Sequence, residues 1–231
     1  MSPDDKKKNA CLLAMEYVKP GMKLGLGTGS TANIFIELLG RQVKQGLEVV
    51  CVPTSVASHD LAAGLGIGLT TLEQCPQLDL TVDGADEFDD DLILIKGGGG
   101  ALLREKIVAK ASHTMVVITD DSKHVDVLGK FPLPIEVIPF GEASTVIAIE
   151  QVAASLGMRG RIELRKSDGS ASFITDSGNH IYDCYFQALK QPRQLAPALN
   201  AIPGVVEHGL FIDIANVILI GSSEGVHILE R

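Results

Sequence analysis

The chain has no tryptophan, and aromatic residues make up only 4% of its 231 positions. Single-stranded nucleic acid is usually gripped by stacking platforms of such rings, so that class of ligand is disfavoured. Positive charge is also short: 20 Lys and Arg stand against 29 Asp and Glu, a net charge of −9. That balance argues against nucleic acid and anionic membranes as partners, and any anionic ligand must be held by local positive groups. Cysteine is sparse and scattered, at Cys11, Cys51, Cys75 and Cys184, with no C-x-x-C pair. A zinc site or disulfide framework is disfavoured, and a reducing cytoplasm is the expected compartment. The six histidines show no metal-ligand spacing. No stretch offers the ~18 uninterrupted apolar residues of a membrane-crossing helix. The start, "MSPDDKKKNACLLAMEYV", lacks the apolar run of a signal peptide.

What is present is a 45% hydrophobic composition with apolar runs that alternate with helical patterns. A helix is expected over 4–18, stopped by Pro20-Gly21. "KLGLG", "LEVVCVP", "IGLTTL", "LDLTV", "LILI" and "TMVVIT" read as strands. Between them "TGSTANIFIELLG", closed by Gly40, "SVASHDLAAGLG" and "ALLREKIVAKA" read as helices. Continuous apolar strands alternating with helices predict a mostly parallel sheet covered on both faces. Pro132, Pro134 and Pro139 mark a junction. Beyond it, strand "IEVI", helix "GEASTVIAIEQVAASLG", strands "RIELR", "ASFIT" and "NHIYDCYF", a short helix near "LAPALN" and strand "GVVEHGL" predict an antiparallel α+β unit, with turns at "SDGS" and "DSGN". The final "ANVILIG" has the buried pattern of the first sheet. The expected division is residues 1–131 with 207–231 as the larger domain and 132–206 as the smaller.

Four strand patterns run straight into small or charged residues: "KLGL" into "GTGST", "LTV" into "DGADE", "LILI" into "KGGGG", and "VVIT" into "DDSK". Ligands of open α/β sheets bind outside the carboxyl ends of the strands, so these four clusters point to one site. "GTGSTA" has the G-x-G-x-x-A form of a dinucleotide turn, but the next strand ends "CVPTS", with no acid for a ribose hydroxyl. Thr28, Gly29, Ser30 and Thr31 suit a phosphate at a helix N-terminus, a reading favoured over an ordinary capped turn. In "VDGADEFDDD", Glu87, Asp89, Asp90 and Asp91 read as a solvated acidic loop. Asp83 and Asp86, spaced by Gly84 and Ala85, could instead hold sugar hydroxyls or move protons. The run from Gly97 to Gly100 is hemmed by apolar segments, which disfavours a linker. Its amides suit a nest for a developing oxyanion, with Lys96 as an adjacent cation. Glu105 has apolar residues and no lysine at helical spacing. It is either a desolvated base or part of a wet "REK" face. Lys123 is a second cation near the same edge.

With these motifs in order, and with "KFPLPIEVIP", "FITDSGNHIYD" and "AIPGVVEHGLF" beside them, the chain closely resembles ribose-5-phosphate isomerase of type A over nearly its whole length. The resemblance implies a Rossmann-like, mostly parallel sheet domain carrying a smaller ferredoxin-like α+β domain. It also implies reversible conversion of ribose 5-phosphate to ribulose 5-phosphate in the pentose phosphate pathway, without metal or organic cofactor, by a homodimer or homotetramer. On the family pattern Glu105 falls on the acid/base, with Asp83 and Lys96 as its catalytic companions. Substrate contacts fall on Thr28 to Thr31, Asp83 to Asp86, Lys96, Gly97, Gly98, Gly99 and Lys123. Lys7 falls on a phosphate-side lysine, though Lys6 and Lys8 adjoin it. Ser177 and the segment "PTSVASHDLA" depart from the family pattern and are expected to lie outside the chemistry. Two rival readings are a sugar-phosphate sensor without turnover and an acyl-CoA transferase on a related scaffold. The first needs no Glu105, and the second wants a longer chain.

Overall fold

The computed structural model describes residues 2–167 and 170–230. In chain order the strands are β1 (Lys23–Leu26), β2 (Val50–Pro53), β3 (Gly68–Leu69), β4 (Leu78–Asp83), β5 (Glu87–Phe88), β6 (Leu94–Ile95) and β7 (Ser112–Asp120). They continue with β8 (Leu133–Val137), β9 (Ile162–Leu164), β10 (His180–Cys184), β11 (Val205–His208), β12 (Leu210–Phe211), β13 (Val217–Ser222) and β14 (Gly225–Glu230). The helices are α1 (Pro3–Ala14), α2 (Ser30–Lys44), α3 (Val56–Gly64), α4 (Leu102–Lys110), α5 (Glu142–Ser155) and α6 (Pro192–Asn200).

A seven-stranded sheet of order β14-β13-β7-β4-β1-β2-β3 forms the larger layer. It is parallel except for the β13–β14 pair. Along β7, Val116 and Ile118 enter a core with Phe35, Ile36 and Leu39 of α2. The alternate residues Met115 and Val117 enter a second core with Phe88, Leu94 and Phe211. Burial on both faces explains why these strands read as unbroken apolar runs. A four-stranded antiparallel sheet, β11-β8-β10-β9, carries α5 and α6 over a separate core of Leu133, Ile135, Val137, Ile149, Leu195 and Leu199. The architecture is thus α/β, with a mostly parallel central sheet and additional antiparallel sheets. Among the described residues no helix is long and apolar enough to cross a membrane.

Several sequence expectations are corrected. "LILI" is not a strand of the large sheet: Leu94–Ile95 sits in a small antiparallel sheet, β12-β6-β5. Gly40 does not end its helix, which runs on to Lys44. A Cβ there would stand 2.9 Å from Leu65 Cβ, so Gly40 is where the α3 end packs against α2. "ASFIT" makes only isolated bridges, Ser172 to Lys166 and Ile174 to His180. "GVVEHGL" splits between two sheets as β11 and β12. The "DSGN" turn is present, with Gly178 N–H donating to Thr175 O. The "SDGS" turn includes residues 168–169, outside the described residues. "ANVILIG" does return to the large sheet, as β13 beside β7.

Candidate active site

β1 ends at Leu26, and the chain turns through Gly27–Gly29 into α2. Gly27 lies so close to β4 that a Cβ would stand 2.1 Å from Asp83 Oδ1. Bare backbone is required at that crossing. Gly29 adopts φ 108° at the α2 N-cap and supplies no side-chain cap, so the first-turn amides of α2 face outward. Thr28 Oγ1 hydrogen-bonds Thr54 Oγ1 at 2.7 Å and Ser55 Oγ at 2.8 Å, which fixes the turn from behind. Lys7, reaching over from α1, lies with its Nζ 3.4 Å from Ser30 Oγ. Lys6 is tied to Asp121 at 2.8 Å instead, and Lys8 is exposed. Lys123 sits in the short helical turn that follows β7. Lys7, Ser30, Thr31 and Lys123 line one crevice with Thr28 and Gly29.

The rest of that crevice is made by Gly84, Ala85, Asp86, Lys96, Gly97, Gly98, Gly99 and Glu105. Asp83, at the end of β4, is wholly buried behind them. Its Oδ1 accepts the N–H groups of Gly84 at 2.7 Å and Thr28 at 3.2 Å. Its Oδ2 lies 2.9 Å from Lys96 Nζ. Lys96, 2% exposed, also donates to Gly84 O at 2.7 Å and stands 3.4 Å from Glu105 Oε1. Glu105 is the fourth residue of α4 and only 3% exposed. Among the described residues, the buried side-chain polar atoms with no hydrogen-bond partner are Asp83 Oδ2 and Glu105 Oε2. Asp83 Oδ2 is nonetheless ion-paired with the Lys96 ammonium, which leaves Glu105 Oε2 as the oxygen with neither. A buried unsatisfied acceptor costs about 1–3 kcal/mol, so Glu105 calls for a reason beyond stability.

Charge in this dry cluster is unevenly held. Burial, and then the Asp83 charge, push the Glu105 carboxyl up to about 8 against the pull of Lys96. Burial also raises Asp83, but its two backbone N–H donors and the shorter ammonium contact make it the member that keeps its charge. Burial pulls Lys96 down, yet the carboxylates of Asp83 and Glu105 more than offset this and hold it above the usual lysine range. Two carboxyls and one ammonium therefore titrate as a unit, with Glu105 pushed toward the neutral range.

The glycine loop is less open than a nest of four amides. Gly98 N–H donates to Asp86 Oδ2 at 2.8 Å, and Gly100 N–H donates to Gly97 O at 3.0 Å. The amides of Gly97 and Gly99 have no partner among the described residues. Gly97 and Gly100 take φ of 106° and 79°. A Cβ on Gly100 would meet the Phe173 ring at 2.3 Å, so this glycine lets an aromatic from the bridged segment between β9 and β10 close on the loop.

The family model for ribose 5-phosphate isomerase A (phosphoriboisomerase A) matches residues 50–225. The chain belongs to this family. A ribose-5-phosphate isomerase A from Parvibaculum lavamentivorans is 56% identical over 230 residues, covering 100% of both chains. A solved D-ribose-5-phosphate isomerase in complex with phospho-erythronic acid superposes with TM-score 0.93 at 42% identity, covering 100% of each chain. The Plasmodium falciparum ribose 5-phosphate isomerase gives TM-score 0.93 at 38% identity, over 100% of this chain and 99% of that one.

Within this member of the isomerase A family, the crevice gathers residues from all four motifs read at the strand ends, although "LILI" belongs to a different sheet. The solvated acidic loop is corrected at Glu87, which is 4% exposed and accepts the amides of Gly129 and Phe131. The wet-face reading of "REK" fails for Glu105 and for Lys106, whose Nζ donates to Glu207 Oε1 and His208 O. One of the two departures from the family pattern is nearer the site than expected. Thr54 and Ser55 of "PTSVASHDLA" brace Thr28. Next to Ser177, Asp176 Oδ2 accepts Val56 N–H at 2.7 Å, and its backbone carbonyl accepts Arg104 Nη2 at 2.7 Å. The sequence reading also passed over Arg165, which donates to the carbonyls of Gly97 and Gly98. No local pattern could have found it, because its partners lie some seventy positions away.

Proposed function

We propose that this chain interconverts ribose 5-phosphate and ribulose 5-phosphate, with Glu105 carrying the proton between C2 and C1. The observation that carries the reading is the buried Glu105 carboxyl, with Oε2 unpartnered and Oε1 3.4 Å from a Lys96 ammonium that Asp83 shares. The crevice is cationic and rich in free amides at its Lys7 and α2 end, which suits the phosphate. At its other end a buried base stands beside an ammonium, with Gly99 lining the same crevice. With the phosphate anchored there, remote binding energy can orient the two reacting carbons.

In the open-chain aldose, ionised Glu105 takes the C2 proton and the electron pair moves into the C1 carbonyl. The negative charge grows on that oxygen, where Lys96 and the loop amides stabilise it, commonly the largest catalytic term. A proton passes between the two enediolate oxygens, and Glu105 returns its proton to C1, leaving the C2 ketone. One base serves both carbons because they are neighbours. Asp83 Oδ2 is assigned the ring opening and the movement of hydroxyl protons, which requires the sugar to reach that atom beside Lys96. Asp86, already fixed by Gly98 N–H, orients the sugar. The phospho-erythronic acid held by the related isomerase joins a carboxylate to a phosphorylated chain, which matches a charged end at Lys96 and a phosphate at Lys7.

Mixing the protein with ribose 5-phosphate and EDTA tests the reading. Ribulose 5-phosphate is expected to appear; its absence from correctly folded protein overturns the assignment. We further propose cytoplasmic residence, consistent with four free buried cysteines, to be read by fractionation. A homodimer or homotetramer is proposed from the family resemblance, to be read by sedimentation. The division into residues 1–131 with 207–231 and 132–206 is also a proposal. It is supported by the separate cores of the two larger sheets, although β11 straddles the second boundary. Limited proteolysis that releases no fragment cut near 131 argues against it.

A further inference from the structure

We propose that Arg165, just past the end of β9, is a positioning residue that sets the direction of the glycine-loop amides in the isomerase crevice. Its Nη1 donates to Gly97 O at 2.7 Å and to Gly98 O at 3.2 Å. In a trans peptide the carbonyl and the following N–H point in opposite directions. Holding these two carbonyls therefore aims the amides of Gly98 and Gly99 the other way. That is what the loop shows: Gly98 N–H meets Asp86 Oδ2 at 2.8 Å, and Gly99 lines the crevice with its amide unpartnered. The loop's own Gly100 N–H also holds Gly97 O at 3.0 Å, whereas Arg165 is the partner of Gly98 O, and glycines rotate freely where nothing holds them.

The arginine is itself held firmly. Nε donates to Asp183 Oδ2 at 2.9 Å and Nη2 to Asp183 Oδ1, a bidentate pair with both side chains less than 15% exposed. Its backbone is fixed on both sides, since its N–H donates to Ile181 O at 2.8 Å and its carbonyl accepts Phe173 N–H at 2.9 Å. Phe173 in turn closes against Gly100. A guanidinium on the carbonyl side also polarises the two peptides, making their N–H groups better donors to a developing oxyanion. Arg165 touches no reacting atom; it acts through Gly98 and Gly99.

The inference rests on the isomerase reading, so wild type is measured alongside. Arg165→Met is expected to lower kcat by about 10- to 100-fold, below the loss for deleting a whole oxyanion donor. KM for ribose 5-phosphate should stay within about threefold, because the phosphate is held elsewhere. Binding of phospho-erythronate should weaken by a factor like that in kcat, while inorganic phosphate binds as to wild type. Added guanidinium should restore part of the lost rate. Arg165→Lys, which keeps the charge but not the fork, should fall between the two. Unchanged kcat in Arg165→Met overturns the proposal. So does a fall in kcat matched by an equal fall in phosphate affinity, which marks general loss of the site. If wild type makes no ribulose 5-phosphate, the isomerase reading falls first; wild-type turnover beside an unaffected Arg165→Met removes only the positioning role.

Discussion

Glu105 Oε1 lies 3.4 Å from Lys96 Nζ, although the two residues sit on opposite sides of the glycine loop, Lys96 just past β6 and Glu105 in α4. Lys96 is shared with Asp83, whose carboxylate is the nearer at 2.9 Å. The base is thus close enough to a cation to ionise, yet buried enough to take a proton back. A group whose proton leaves near the working pH is efficient both as base and as acid.

The pH dependence of turnover follows from that balance. Free enzyme holds a proton on Glu105 below about 8, and the protonated form cannot abstract hydrogen from C2. The value of kcat/KM should therefore rise with pH and level off near 8. A profile with its rising limb near pH 4.5 would show an ordinary solvated carboxylate instead.

Replacing the base separates activity from stability. Glu105→Gln should reduce kcat by about 10³-fold or more with KM little changed. In the folded state Glu105 keeps its proton up to about 8, while the unfolded chain loses it near 4.5. Unfolding therefore releases a proton between those values, and this group's contribution falls as pH rises through the window. The glutamine variant lacks the penalty. Its melting temperature should match wild type near pH 4.5 and exceed it by a few degrees at pH 8, read by calorimetry.

Removing the shared cation should be costly in the opposite sense. Lys96→Met leaves two buried carboxyls without their ammonium, which typically costs about 3–5 kcal/mol when both are ionised. At pH 5 both can take up protons, so the loss should shrink there and grow toward pH 8.5. Urea unfolding at the two pH values reads the difference, and an equal loss at both would argue against the shared-charge arrangement.

At the other end of the crevice, Lys7→Met should raise KM for ribose 5-phosphate by about 10- to 100-fold, the worth of one charge-assisted hydrogen bond. Its kcat should stay within a few-fold of wild type. Lys6→Met, which loses only the Asp121 pair, should leave both constants near wild type. Steady-state kinetics on the two variants decides between the neighbouring lysines.

Gly27→Ala tests the crossing beneath the site. The new methyl would fall 2.1 Å from Asp83 Oδ1 and 2.6 Å from Asp83 Cα, the latter backbone that cannot swing away. Destabilisation of about 1–3 kcal/mol is expected, together with reduced kcat as Asp83 is displaced from Lys96. Thermal unfolding and turnover measured on one sample check both.

Much of this protein follows from local sequence alone. Apolar runs of strand length separated by helices determine a two-faced parallel sheet, because its central strands bury both of their sides. Small residues at the strand ends determine a ligand edge, because only short side chains leave room there. Motifs that each lie within a few residues pointed to the 28–31 turn, Lys96, Glu105 and Lys123, whereas Lys7 came only from the family resemblance; all of them line the crevice. The tertiary structure alone decided which charges meet: Lys96 with both Asp83 and Glu105, Glu87 with a distant loop, and Arg165 with the glycine carbonyls. Hydrophobic periodicity records which side of an element is dry. An ion pair or a held peptide instead depends on distances between elements that are set only when the sheets pack.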